Sequence, residues 1–117
     1  MNGLNNRVQL IGNLGADPEY KELESKGGMA KMSLATSETY TDEKGNKVKD
    51  TQWHHLVAYG KTADLAMKYL KKGNEVAIEG RIKHRSYEDK EGQTRYFTEI
   101  IVNELMILRA ASIGEEV

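Results

Sequence analysis

Thr62-Ala63-Asp64-Leu65-Ala66-Met67-Lys68-Tyr69-Leu70-Lys71-Lys72-Gly73 is the stretch on which the fold turns, because only here do the apolar residues take a helical period. Leu65, Ala66, Tyr69 and Leu70 recur at i, i+1, i+4 and i+5, a spacing that gathers side chains on one side of a helix. Thr62 stands before them as an N-cap, its hydroxyl able to accept a free backbone N–H, and Gly73 follows as the C-cap. Lys68, Lys71 and Lys72 occupy the C-terminal half, where positive charge meets the negative end of the helix dipole.

Outward from this helix the chain reads as strands. On its N-terminal side, Asn6 to Gly12 alternates and leaves through the turn Gly12-Asn13-Leu14-Gly15. Pro18, the only proline, follows in that connection; Tyr20 to Leu23 is a short strand and Ser25 to Gly28 a turn. Met29 to Tyr40 is rich in Thr, Ser and aliphatics and makes a second main strand. The polar tip Thr41 to Lys47, with its Gly45-Asn46, joins it to a third strand, Val48 to Tyr59. On the C-terminal side, Glu75 to Tyr87 and Arg95 to Leu108 are long strands joined by a second polar hairpin, Glu88 to Thr94.

Three main strands, a helix and two strands predict an all-β fold, a five-stranded OB-fold Greek-key barrel with one helix between the third and fourth strands. Residues 1–108 are expected to form this single domain, and 109–117 a short C-terminal tail without pattern, expected to be disordered. Such barrels commonly take oligonucleotides on the second and third strands and the loops beside them, although element order speaks for the fold and not for the ligand.

A chain of 117 residues with 38% hydrophobic and 30% charged residues suits one packed core. Its 17 Lys and Arg against 18 Asp and Glu give a net charge of -1, so a basic site requires charge to be segregated on the surface. With no cysteine there is no disulfide framework, thiolate zinc site or catalytic thiol, which fits a reducing cytoplasm. Apolar runs such as Leu105 to Leu108 are far shorter than the roughly 20 residues of a membrane span, and no signal-peptide apolar region opens the sequence. A soluble, cytoplasmic protein is expected.

Segregation is visible on the fourth main strand. Alternation assigns Val76, Ile78, Gly80 and Ile82 to one face and Ala77, Glu79, Arg81, Lys83, Arg85 and Tyr87 to the other. Three cations in a row repel one another unless a polyanion lies along them, where each displaces counterions. The third strand divides into Trp53, His55, Val57 and Tyr59 on one face and His54, Leu56 and Ala58 on the other, and either set could face the core. If the second set does, the only Trp is left outside, where stacked bases would cover it. Tyr40 and Tyr87 stand at strand ends beside the two polar hairpins. Lys44, Lys47, Lys49 and Lys90 flank or occupy those hairpins, but Asp42, Glu43, Glu88, Asp89 and Glu91 accompany them and dilute the charge.

No catalytic site assembles. The carboxylates have no glycosidase-like spacing, and Gly12-Asn13-Leu14-Gly15 lacks the Lys and Ser or Thr of a phosphate loop. His54 and His55 are adjacent in a strand and point to opposite faces, so they cannot chelate one metal; His84 reads as structural. The sequence therefore predicts a non-enzymatic protein with no metal and no cofactor.

Val8 to Gly15 (VQLIGNLG), Leu34 to Glu38 (LATSE), Trp53-His54, Tyr59-Gly60-Lys61, Tyr69 to Gly73 (YLKKG), Ile78-Glu79-Gly80 and Arg95-Tyr96 occur in this order. Together they resemble the bacterial single-stranded DNA-binding proteins over roughly residues 4 to 108. The resemblance implies an OB-fold subunit, usually a homotetramer, that wraps single strands without sequence preference during replication, recombination and repair, in association with the nucleoid. It implies base stacking on Tyr40, Trp53, Tyr59 and Tyr87, three of which are commonly Trp or Phe in the family. It implies backbone contacts from Arg7, Lys61, Lys72, Lys83, Arg85 and Arg95, to which alternation alone adds Arg81. His54 matches a subunit-interface residue, and His55 stands where the family often has Arg, which makes a phosphate contact there pH-dependent. The family's long Gly, Pro and Gln-rich linker and acidic tip have no counterpart in Ile113-Gly114-Glu115-Glu116-Val117, so the docking tip for replication and repair partners is expected to be missing. Another OB-fold nucleic-acid module, primosomal or RNA-binding, is the alternative on the same residues, and a structural or small-ligand barrel a more distant one.

Overall fold

Long runs of alternating and β-branched residues pair over most of the computed structural model, which describes residues 5–23 and 27–109. In chain order the elements are β1 (Val8–Leu14), β2 (Glu19–Leu23), β3 (Gly27–Thr41), β4 (Lys47–Tyr59), α1 (Gly60–Tyr69), β5 (Glu75–Glu88) and β6 (Thr94–Arg109). The sheet runs β1-β5-β6-β4-β3-β2, and β1 also pairs with β3 through Asn13↔Ala35 and Leu14↔Leu34. That second pairing closes β1, β5, β6, β4 and β3 into a barrel, while β2 lies outside the ring as a short strand on the edge of β3. The chain has the OB-fold, with its helix between the third and fourth barrel strands. Closure depends on Gly12: a Cβ there would lie 2.2 Å from the carbonyl oxygen of Ala35, so only glycine lets β1 cross β3 so closely.

Leu34, Leu56 and Val76 are the largest fully buried side chains, joined inside the barrel by Leu14, Met32, Ile78, Ile100 and Val102. Ala63, Ala66 and Leu70 of α1 belong to the same core, at the i, i+3, i+7 spacing of one helix face. A smaller cluster, Met29, Val57 and Ile101 with Leu23 and Tyr59 packed against it, lies apart from this core.

Several local expectations change. The helix begins at Gly60 and not after Thr62: β4 runs directly into it, and the bend is made at Gly60, whose φ is +60°. Tyr59 is therefore the N-cap residue, without a side-chain hydrogen bond, and Thr62 lies inside the first turn. Gly73 is not the C-cap, because Leu70 already ends the helix in extended conformation. Gly73 instead ties the turn after the helix to β1, its N–H donating to the Leu14 carbonyl at 2.9 Å. Of the four periodic residues Ala66 and Leu70 face the barrel, whereas Leu65 and Tyr69 are exposed and Ala63 is buried in their place. The first strand is shifted to Val8–Leu14, with Asn6 clamping the backbone N–H and C=O of Ile82 through its side-chain amide. Ile82, assigned by alternation to the buried face, is exposed because β5 has by then left the barrel. Ser25 of the expected turn lies outside the described residues, and Gly27 and Gly28 open β3. Arg109 closes β6 by pairing with Glu75; residues 110–117 of the expected tail lie outside the described residues.

Candidate nucleic-acid interface

The pleat of β4 decides which of its two faces is open. Leu56 and Ala58 are buried in the barrel core and His54 is half-buried beside them, its Nε2 in a 2.9 Å hydrogen bond with Thr36 Oγ1. Trp53 and His55 consequently point outward, and Trp53 is 59% exposed. What holds the indole against the barrel is a missing side chain: a Cβ on Gly15 would lie 2.5 Å from Cζ3 of Trp53.

β5 and β6 pair without interruption from Tyr87↔Arg95 to Gly80↔Val102 and extend from the barrel as a two-stranded arm. Arg81, Lys83, Arg85 and Tyr87 share one face of it, opposite Ile101, Glu99, Phe97 and Arg95 of β6. Ile101 pairs in turn with Val57 of β4, so the face of the arm continues into the face that carries Trp53 and His55. Between arm and barrel is a cleft of about 460 Å³ whose lining includes Lys31, Ser33, His55, Tyr87, Phe97 and Glu99.

The expected aromatics are placed differently from one another. Tyr40, Trp53 and Tyr87 are all more than half exposed, Tyr40 toward the tip of the β3–β4 hairpin and Tyr87 on the arm. Tyr59 is half-buried against Met29, Val57 and Ile101, and its hydroxyl accepts a hydrogen bond from Arg85 Nη2 at 3.3 Å.

The expected cations fall into two groups. Arg7 pairs with Glu79 at 3.1 Å and Arg95 with Asp89 at 2.9 Å. Arg85 pairs through Nε with Glu99, and this hydrogen bond, then the Glu99 charge, raises its pKa above the ordinary guanidinium value. Lys61, Lys72, Arg81 and Lys83 form no ion pair among the described residues; Lys72 is held through its backbone N–H, which donates to Asp17 Oδ1 at 2.8 Å. Arg81 and Lys83 thus carry open charge on the face that leads to the cleft.

Sequence reasoning passed over Phe97 and, beyond the Arg95-Tyr96 motif, gave Tyr96 no role. Phe97 lines the cleft and meets Tyr87 edge to face, with ring centroids 5.9 Å apart and planes at 65°. Tyr96, 79% exposed, is on the other face of the arm. Alternation applied to the last strand, as it was to the fourth, would have put Arg95, Phe97, Glu99 and Ile101 together.

A closed five-stranded barrel, open aromatics and a cationic arm bordering one cleft define an OB-fold barrel whose outer face suits an extended polyanion. The sequence matches the Single-strand binding protein family over residues 5–108, and the chain belongs to that family. It is 46% identical over 110 residues to Single-stranded DNA-binding protein 1 of Chlorobaculum tepidum, covering 93% of this chain and 68% of that protein. In structure it resembles the Plasmodium falciparum SSB in complex with ssDNA, with a TM-score of 0.81 and 34% identity over 88% of this chain and 94% of the other.

Proposed function

We propose that this chain binds and protects single-stranded DNA during replication, recombination and repair, and that it catalyses no reaction. The observation that carries this reading is the exposed Trp53 on a face continuous with Arg81 and Lys83, cations that form no ion pair among the described residues. Stacking is sequence-tolerant because every base has a π-face, and cations along the strand release its counterions. Tyr40, Trp53 and Tyr87 are the stacking platforms, and Tyr59 contributes the exposed part of its ring. Lys61, Lys72, Arg81 and Lys83 take phosphates directly, while Arg7, Arg85 and Arg95 must share their charge with Glu79, Glu99 and Asp89. The binding domain runs through the end of β6 at Arg109, one residue beyond the 1–108 expected from the sequence.

The working unit is a homo-oligomer, on the family pattern a tetramer, in the cytoplasm and associated with the nucleoid. Ile11 and Met106, both exposed and in register on either side of Ala77, supply apolar surface for a subunit contact, and His54 is a second candidate. Competition at fixed salt among an unstructured DNA strand, the matching RNA and the duplex tests the reading. DNA should bind tightest and the duplex weakest; preference for RNA would favour the RNA-binding alternative.

A further inference from the structure

Glu99 is a carboxylate in an unusual place for a protein that handles a polyanion. It is 6% exposed, lines the cleft between arm and barrel, and has only one oxygen occupied: Oε1 accepts from Arg85 Nε, and no described residue donates to Oε2. Arg85 turns a second nitrogen, Nη2, to the Tyr59 hydroxyl and does not close a two-pronged pair. A buried carboxylate oxygen without a donor is costly, and the cleft offers it a ligand-facing side. Tyr87 and Phe97, edge to face, form an aromatic corner on the same cleft, and Ser33, His55, Lys31, Asp17 and Glu19 supply the rest of its polar lining.

Resting on the single-strand reading above, we infer that this cleft takes up one base and that Glu99 Oε2 accepts a hydrogen bond from its exocyclic amino group, while Tyr87 and Phe97 pack its ring. Cytosine, adenine and guanine carry such a group. Thymine offers only N3–H, between two carbonyl oxygens that would face the carboxylate. Arg85 orients Glu99 through its Nε donor, so Glu99 is a specificity-determining residue and Arg85 a positioning residue. Binding that is otherwise tolerant of sequence therefore carries a base bias at one position in each protomer.

The test compares oligo-dC with oligo-dT of equal length, at one salt concentration, on the full chain and on Glu99→Gln. The substitution keeps an oxygen for Arg85 and can place an amide N–H₂ where Oε2 stood. A hydrogen bond to a charged group contributes about 1.5–3 kcal/mol, so the dC-to-dT affinity ratio should fall by roughly tenfold or more in Glu99→Gln. An unchanged ratio, or an equal loss for both polymers, overturns the inference and leaves Glu99 as an anchor for Arg85. A second measurement needs no variant: an oligomer with 2-pyrimidinone in place of cytosine lacks the amino group and should bind the unsubstituted chain more weakly than oligo-dC by a similar factor. Equal binding overturns the inference. Should the unsubstituted chain bind neither dC nor dT, it is the single-strand reading itself that fails.

Discussion

A methyl group at position 15 would lie 2.5 Å from the indole of Trp53, closer than carbon atoms approach, so Gly15→Ala must push the ring off its seat. Because loss of a stacking platform costs about 1–3 kcal/mol per base, a displaced ring should weaken single-strand binding by roughly fivefold or more, with reduced quenching of Trp53 fluorescence. The same variant with unchanged quenching would show that the indole finds an equivalent seat. Asp89 makes a second prediction at this scale. It accepts from the backbone N–H groups of Gln93 and Glu91 and from Arg95 Nε, and the Gln93 bond leads in holding its carboxyl below the ordinary value of 3.8. A carboxyl with a lowered folded pKa stabilises the hairpin above its unfolded pKa, and that stabilisation is lost as pH falls through the folded value. Amide exchange at Gln93, corrected for intrinsic pH dependence, should thus stay protected at pH 5 and accelerate only below the usual carboxylate range. The stacking candidates Tyr40, Trp53 and Tyr87 were legible as aromatics in or beside polar hairpins. Gly15 was not, since its role depends on a ring distant in sequence.

At the scale of elements, the arm is held to the barrel by the Arg85, Glu99 and Tyr59 set, which links β5, β6 and β4. Arg85→Ala would leave the buried Glu99 without its donor, a loss of about 1–3 kcal/mol, seen as a fall of several degrees in Tm. A melting temperature equal to that of the unsubstituted chain would mean that the arm is fixed by its ladder alone. This set also shows where pattern reading stops. Alternation put Arg85 correctly with Arg81, Lys83 and Tyr87 but could not reveal that Glu99, on another strand, neutralises it. The same rule placed Ile82 inside, because a period of two records faces and not where a strand leaves its barrel. The helix was found from its period, but its start was missed: Thr62 is a good cap by residue type, and the tertiary demand that β4 turn at Gly60 prevailed.

For the whole molecule, a net charge of -1 conceals a division between Arg7, Arg85 and Arg95, which carboxylates neutralise, and Arg81 and Lys83, which form no ion pair among the described residues. Barrel topology was readable from the order of strands and helix, since turn residues and a single change of period are local signals. The cleft was not, because it forms only when the arm folds over the face of β3 and β4. Replacing Arg81 and Lys83 together with Ala should reduce the steepness of the salt dependence by up to about 1.4, from roughly 0.7 per phosphate neutralised. No change in slope would remove both from the phosphate path. The central claim, that one face stacks bases and neutralises phosphates at once, is tested most directly by titrating Trp53 fluorescence with unstructured oligo-dT at several salt concentrations. Quenching is predicted, with an affinity that falls linearly on a logarithmic salt scale at a slope of about -0.7 per neutralised phosphate. No quenching and no binding at low salt would contradict the account, leaving Trp53 as surface structure on a barrel that serves another ligand.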